Sequence, residues 1–98
     1  MSIEPLSAFL RQEVYGLTSQ LRRAAVSVAS NIAEGQGRNT KGEFIQFLGQ
    51  ARGSLLEMET QIVISSDLGY IKPELVQDLC GKTSEVNRLL NGLIGSLR

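Results

Sequence analysis

The sequence predicts an all-α protein, a single helical-bundle domain over residues 1–98 with three long helices. Apolar residues recur every three or four positions over long stretches, as they do along one face of a helix. Aromatic residues make up only 5% of the chain and Trp is absent, so Leu, Ile, Val and Ala must fill the core. Glycine, proline and capping residues separate these stretches, and no strand-like alternation appears.

The first long helix is predicted over about residues 17–34. Its apolar face consists of Leu17, Leu21, Ala24, Ala25, Val28 and Ile32. Gly35 is predicted to end this helix, because glycine readily takes the left-handed conformation that closes a helix, and Gly37 discourages an immediate restart. Residues 1–12 are predicted to be a short N-terminal remnant, since the turn that Pro5 can start is too short for a full bundle helix.

The second helix is predicted over about residues 41–68, after a capping box in which Thr40 and Glu43 satisfy each other's backbone N–H groups. Gly69 is its predicted terminator. Its main apolar face consists of Phe44, Phe47, Leu48, Ala51, Leu55, Met58, Ile62, Ile64 and Leu68. A second seam consists of Ile45, Leu56 and Val63. Such a wide apolar stripe predicts contacts with several helices.

The third helix is predicted over about residues 73–97. Pro73 suits its first turn, and Glu74 is favourable at its positive end. Its apolar face consists of Leu75, Val76, Leu79, Val86, Leu89, Leu90, Leu93 and Leu97. In the second helix, Gly49 and Gly53 predict a close helix crossing within or between subunits, or they simply fit beside larger neighbours.

The reactive residues argue against an enzyme. Cys80 is the only cysteine and there is no histidine, so neither an intramolecular disulfide nor a zinc or histidine-based centre is expected. Glu57 and Glu59 lie on different helix faces, and Gly35-x-Gly37 lacks the rest of a phosphate-binding loop. We therefore predict no catalytic residue, metal site or cofactor. No export or membrane segment is visible, which favours a cytoplasmic protein.

Basic side chains are concentrated in the first half of the chain. Residues 1–52 hold six Lys/Arg and four Asp/Glu, a net charge of +2, whereas residues 53–98 hold four and six, a net charge of −2. The candidate nucleic-acid-binding residues are Arg22, Arg23, Arg38, Lys41 and Arg52. Repeated by oligomer symmetry, such residues form a ring that contacts phosphates. The alternative is a solvated face or ion pairs with Glu34 and Glu57.

Two runs of sequence carry a family resemblance, LRRAAVSVASNIAEGQGR at 21–38 and EFIQFLGQARGSLLEMETQ at 43–61. They resemble the four-helix-bundle family of proteins encoded in 23S rRNA intervening sequences, over roughly residues 13–98. The resemblance implies an antiparallel up-and-down bundle of the four-helix-bundle type, here with three long helices and a truncated first helix. It also implies a bacterial homo-oligomer, commonly a pentamer.

The family is related to the accessory variability protein of diversity-generating retroelements, which binds a reverse transcriptase and nucleic acid. The resemblance implies structural roles for Asn31 and Glu34, which bond neighbouring helix ends or loops, and for Gly35. These observations predict a non-enzymatic oligomeric scaffold that binds structured RNA, an RNA-dependent partner such as a reverse transcriptase, or both. The alternative is a protein–protein interaction module that uses an apolar helix groove without nucleic acid.

Overall fold

The computed structural model describes the backbone of residues 4–98 and the side chains of Ala8 and of residues 11–98. The prediction of an all-α protein is confirmed, because this part of the chain consists of helices and loops with no strand. The helices are α1 (Glu4–Gln36), α2 (Lys41–Asp67) and α3 (Pro73–Leu97).

The first helix is longer than the sequence predicts. It begins at Glu4 rather than near residue 17, so the predicted remnant is wrong from Glu4 onward, and residues 1–3 lie outside the described chain. Pro5 lies in the first turn, where its missing N–H is not needed. Gly16 is exposed and costs only about 1 kcal/mol in a helix interior, which is too little to stop the helix.

The ends of α2 follow from local hydrogen bonds. Thr40 is the N-cap, and its hydroxyl accepts from the Glu43 backbone N–H at 3.1 Å and donates to the Glu43 carboxylate at 3.1 Å. At the other end, Gly69 has φ +77°. Its N–H donates to the backbone carbonyl of Ser66, and the Tyr70 N–H donates to the backbone carbonyl of Ser65. This pair of bonds is the Schellman arrangement, which closes a helix with glycine in the left-handed region.

The core lies along α2, which packs against both α1 and α3. Its buried apolar residues are Ala24, Val28, Leu48, Ala51, Leu55, Ile62, Leu90 and Ile94. Leu48 and Ile62 are the largest fully buried side chains, and each contributes about 1.5–3 kcal/mol through burial. The middle helix, α2, therefore holds α1 and α3 together.

The three helices form an open layer with α2 in the middle. The molecule measures 62 × 23 × 13 Å, and its width fits three helices in a row at spacings of about 8–10 Å. No Cα atom in α1 comes within 8 Å of a Cα atom in α3 over the described ranges. The described chain thus has three helices, and α1 includes most of the predicted remnant. Because α1 and α3 are separated, one side of α2 faces the gap between them.

Candidate functional site

The loop between α1 and α2 fixes one of the basic side chains. The Arg38 guanidinium donates to a carboxylate oxygen of Glu34 at 3.0 Å, and its central carbon lies 4.7 Å from the centroid of the Phe47 ring. The exposed ion pair contributes only about 0–1 kcal/mol, and the contact with the ring contributes about 0.5–1 kcal/mol. Lys41 begins α2 close to this loop and is exposed.

Arg52 connects α2 to α3. Its Nη1 donates to the side-chain oxygen of Asn91 at 2.7 Å, which is short and typical of a bond from a charged donor. Sequence spacing did not reveal Asn91 as a partner, because the two residues are 39 positions apart. One of the N–H groups of Arg52 therefore holds α3 against α2.

Arg22 and Arg23 lie on different sides of α1. Consecutive residues in an α-helix are rotated by about 100°, so a pair in sequence is not a pair in space. Arg23 lines a cleft that also contains Glu57, whereas Arg22 is three residues before Ala25, on the opposite side of the helix contact. A single chain consequently spreads its five candidate basic residues over several surfaces rather than one patch.

The cleft that contains Arg23 lies between α1 and α2, and we call it the polar cleft. Its lining residues are Gln20, Arg23, Ala24, Ser27, Glu57 and Gln61. At its edge the hydroxyls of Ser27 and Ser54 share a hydrogen bond of 2.8 Å. The Asn31 amide donates to the Ser27 carbonyl at 2.8 Å and to the Ser27 hydroxyl at 3.2 Å. The Ser27–Ser54 bond thus ties α1 to α2, and the two bonds from Asn31 hold Ser27 within α1.

Gln61 is the most buried polar residue of the cleft, with 8% of its surface exposed. Its Nε2 donates to Glu57 Oε1 at 3.5 Å, but its own Oε1 is buried without a hydrogen-bond partner. A buried acceptor that lacks a partner costs about 1–3 kcal/mol. Sequence reasoning missed Gln61, since a glutamine within an apolar stripe gives no signal of burial.

The expected structural roles do not hold for two of the three residues, Asn31 and Gly35. Asn31 bonds within its own helix and reaches α2 only through Ser27, instead of bonding a helix end or loop. Gly35 does not end α1, which continues to Gln36. A Cβ at Gly35 would lie 2.8 Å from Phe44 Cδ1 and 2.9 Å from Phe47 Cβ. Its physical role is therefore to let the end of α1 approach the start of α2.

The glycines of α2, unlike Gly35, are not in close contact with another helix. A Cβ at Gly49 or Gly53 would meet nothing within 4 Å outside its own neighbourhood. No other backbone approaches these positions within the described chain, so the predicted crossing inside the subunit is wrong. The reason is the rotation of α2, which directs Leu48 and Leu55 into the core and leaves Gly53 exposed.

A second cleft lies between α1 and α3 over the centre of α2, and we call it the apolar groove. Its lining residues are Ala25, Val28, Leu55, Met58, Ile62, Leu79, Lys82, Thr83 and Val86. Lys82 is its only charged lining residue and forms an ion pair of 3.1 Å with Asp78. The groove is therefore suited to an apolar ridge rather than to a charged ligand.

Other chemistry is sparse in the described chain. Cys80 is a free, partly buried cysteine. No group of three or more His, Cys, Asp or Glu residues with a metal-binding arrangement occurs among the residues that the structure describes. Within the same residues, none of the helices combines the length and the apolar character needed to cross a membrane.

Comparison with known protein families identifies the family of the chain. The family model described as 23S rRNA-intervening sequence protein matches residues 2–92. This range includes every residue that lines the polar cleft and the apolar groove. No curated protein matches the chain.

Proposed function

Because the chain belongs to the family of 23S rRNA-intervening sequence proteins, we propose that it is a non-enzymatic oligomeric scaffold that binds structured RNA. Family membership carries this proposal, since the family name connects its members with a structured RNA. The basic side chains supply the means, because lysine and arginine contacts to phosphates dominate the affinity of most nucleic-acid-binding proteins. The same scaffold binds an RNA-dependent partner such as a reverse transcriptase.

We propose assembly because one chain does not bring its basic residues together in a single patch. Arg23 lies in the polar cleft, Arg38 in the loop after α1, and Arg52 beside α3. The chain is neutral overall, so several copies must bring like residues together to make a strong positive field. Ring symmetry repeats each residue at a fixed radius. The family resemblance suggests five copies and a cytoplasmic, bacterial setting.

A fold of the four-helix-bundle type belongs to the same proposal. The described chain supplies three helices, and the apolar groove has the position that a fourth helix occupies beside α1 and α3. A helix in this position would cover the apolar side chains of Val28, Met58 and Val86. The open layer is then the part of the bundle that one chain provides.

RNA binding is tested by the anisotropy of a labelled stem-loop of 23S rRNA at increasing salt. We expect the Kd to rise on the order of tenfold or more between about 50 and 200 mM salt, because binding releases counterions from the phosphates. Arg22→Glu and Arg23→Glu should each weaken binding further, since both residues are exposed candidates. A Kd that responds neither to salt nor to these substitutions contradicts RNA binding.

Arg11→Glu is the matched control. Arg11 is also an exposed arginine of α1, and the substitution changes the net charge by the same amount. If Arg11→Glu weakens binding as much as Arg23→Glu does, the effect reflects net charge and the assignment of Arg22 and Arg23 is wrong. Circular dichroism of each variant checks that the helices remain folded.

The apolar groove supports a second candidate function, a protein–protein interaction module that uses no nucleic acid. Helix-in-groove recognition buries an apolar face, so its affinity depends little on salt. Salt dependence and the response to Arg23→Glu thus separate the two functions.

A further inference from the structure

We propose that the polar cleft binds a single guanine base, supplied by an unpaired nucleotide of RNA, an inference that rests on the proposed function. Sequence-specific recognition of RNA depends on such unpaired bases, because their edges are accessible to side chains. All the lining residues belong to α1 and α2 of one chain, so the site does not depend on the number of copies in the assembly.

The two walls of the polar cleft place a basic and an acidic side chain at the same level. The hydrogen bond between Ser27 and Ser54 marks a point at which the antiparallel helices α1 and α2 meet. Arg23 lies about 6 Å from Ser27 along α1, and Glu57 lies about 4.5 Å from Ser54 along α2, by helical rise. Both steps lead away from the loop that joins the helices. Arg23 and Glu57 therefore face the cleft from opposite walls.

Both charged side chains can contact a ligand. Within the described chain, no ion pair joins Arg23 to Glu57 or either of them to another residue. Both residues are exposed. The guanidinium of Arg23 offers only donors, whereas the carboxylate of Glu57 offers only acceptors. Because the two charges cancel and the carboxylate repels phosphate, the cleft suits a neutral group that has donors on one edge and acceptors on the next.

The amide of Gln61 indicates that the cleft lacks a donor. Gln61 is 8% exposed, and its Oε1 is buried without a hydrogen-bond partner, which is rare in folded proteins. Its Nε2 lies 3.5 Å from Glu57 Oε1, so that bond is long and weak. The last torsion of a glutamine side chain has a broad energy profile, so the amide turns readily. A donor placed in the cleft satisfies the Gln61 oxygen once the amide turns towards it.

Guanine is the RNA base that matches this arrangement. It presents a ring N–H beside an exocyclic amino group, and a carboxylate such as that of Glu57 accepts from both. Its carbonyl oxygen and a neighbouring ring nitrogen are acceptors that an arginine contacts with two N–H groups. Adenine and cytosine place a ring acceptor beside the amino group, and uracil has no amino group. The cleft volume of about 360 Å³ is near the lower end for small-ligand sites, which suits one base.

The main experiment compares labelled stem-loops that differ at one unpaired nucleotide, by anisotropy with the full chain. Guanosine at this position should bind roughly 5- to 150-fold more tightly than adenosine, the range for one bidentate contact. Inosine, which lacks only the amino group of guanosine, should give an intermediate Kd. Equal Kd values for the three stem-loops overturn the guanine site. If those equal values still rise with salt, the RNA scaffold itself stands, so the two failures are distinguishable.

Substitution of Glu57 tests the acceptor wall. Glu57→Gln should abolish the preference for guanosine over inosine, because an amide does not accept from both donors. Glu59→Gln is the matched control, since Glu59 lies on the same helix outside the polar cleft and the substitution removes the same charge. A preference that survives Glu57→Gln, or that Glu59→Gln reduces equally, overturns the proposal.

Substitution of Arg23 tests the donor wall, with Arg22 as its comparison. Arg23→Ala should weaken binding of the guanosine stem-loop more than that of the adenosine stem-loop, because a base contact is specific. Arg22→Ala should weaken both equally and reduce the salt dependence, as the loss of a phosphate contact does. Equal weakening of both stem-loops by Arg23→Ala indicates a phosphate contact and overturns its assignment to guanine.

Free nucleotides identify the source of the base. Guanosine monophosphate should displace the RNA at lower concentrations than adenosine monophosphate does, because only guanine fits the cleft. Equal displacement by the two nucleotides overturns the proposal. Calorimetric titration with guanosine monophosphate alone provides the other arm. Binding of this nucleotide by a protein that binds none of the stem-loops supports the guanine site but overturns RNA as its source, and the RNA scaffold with it.

Discussion

The polar cleft and the apolar groove lie on opposite sides of the contact between α1 and α2, yet neighbouring residues line them. Gln61 lines the polar cleft and Ile62 lines the apolar groove, and the same division separates Ala24 from Ala25. A helical rotation of about 100° per residue moves consecutive side chains to different faces. The rotation of a helix about its axis, and not local composition, therefore decides which chemistry a surface presents.

Truncation of a buried side chain in the apolar groove should reduce stability most. Ile62→Ala should lower the free energy of unfolding by about 2–5 kcal/mol, because Ile62 is 1% exposed and its removal leaves a cavity. Urea denaturation measures the change. Val63→Ala is the matched control, since Val63 is 50% exposed and should lose less than about 1 kcal/mol. Equal losses at the two positions would show that the helix is rotated differently.

A smaller effect is expected at the hydroxyl pair beside the polar cleft. Ser27→Ala and Ser54→Ala should each lower the free energy of unfolding by about 1 kcal/mol, because each removes the hydrogen bond between the two hydroxyls. The double variant should lose less than the sum, with a coupling of about 0.5–1.5 kcal/mol. Ser30→Ala, at an exposed position of α1, serves as the control. Additive losses would mean that the hydroxyls do not interact.

The smallest effect, and one with the opposite sign, is expected at Gln61. Gln61→Met keeps the shape of the side chain and removes the buried acceptor without a partner, so stability should stay constant or rise by up to about 1 kcal/mol. Thermal unfolding measures this change, with Gln50→Met at an exposed position of α2 as the control. A loss greater than that of the control would indicate that the amide oxygen is hydrogen-bonded in solution.

Local signals predict where α2 begins and ends and where α3 begins. The Thr40 cap, the glycine closure at Gly69 and the first-turn position of Pro73 each depend on atoms within a few residues, so sequence is sufficient for them. The start of α1 was missed for a related reason. Pro5 in the first turn and Gly16 in the interior are weak helix-breaking signals, so a continuous helix tolerates both.

Helical periodicity and motif residues were sufficient to predict the all-α class and the family, because both are properties of the chain. Which side chains meet depends instead on how the helices pack. The bond from Arg52 to Asn91 and the pair of Ser27 with Ser54 join residues 39 and 27 positions apart. The close approach of Phe44 to Gly35 likewise depends on how α1 meets α2. The physical reason is that such contacts depend on the rotation and spacing of packed helices, which local sequence does not encode.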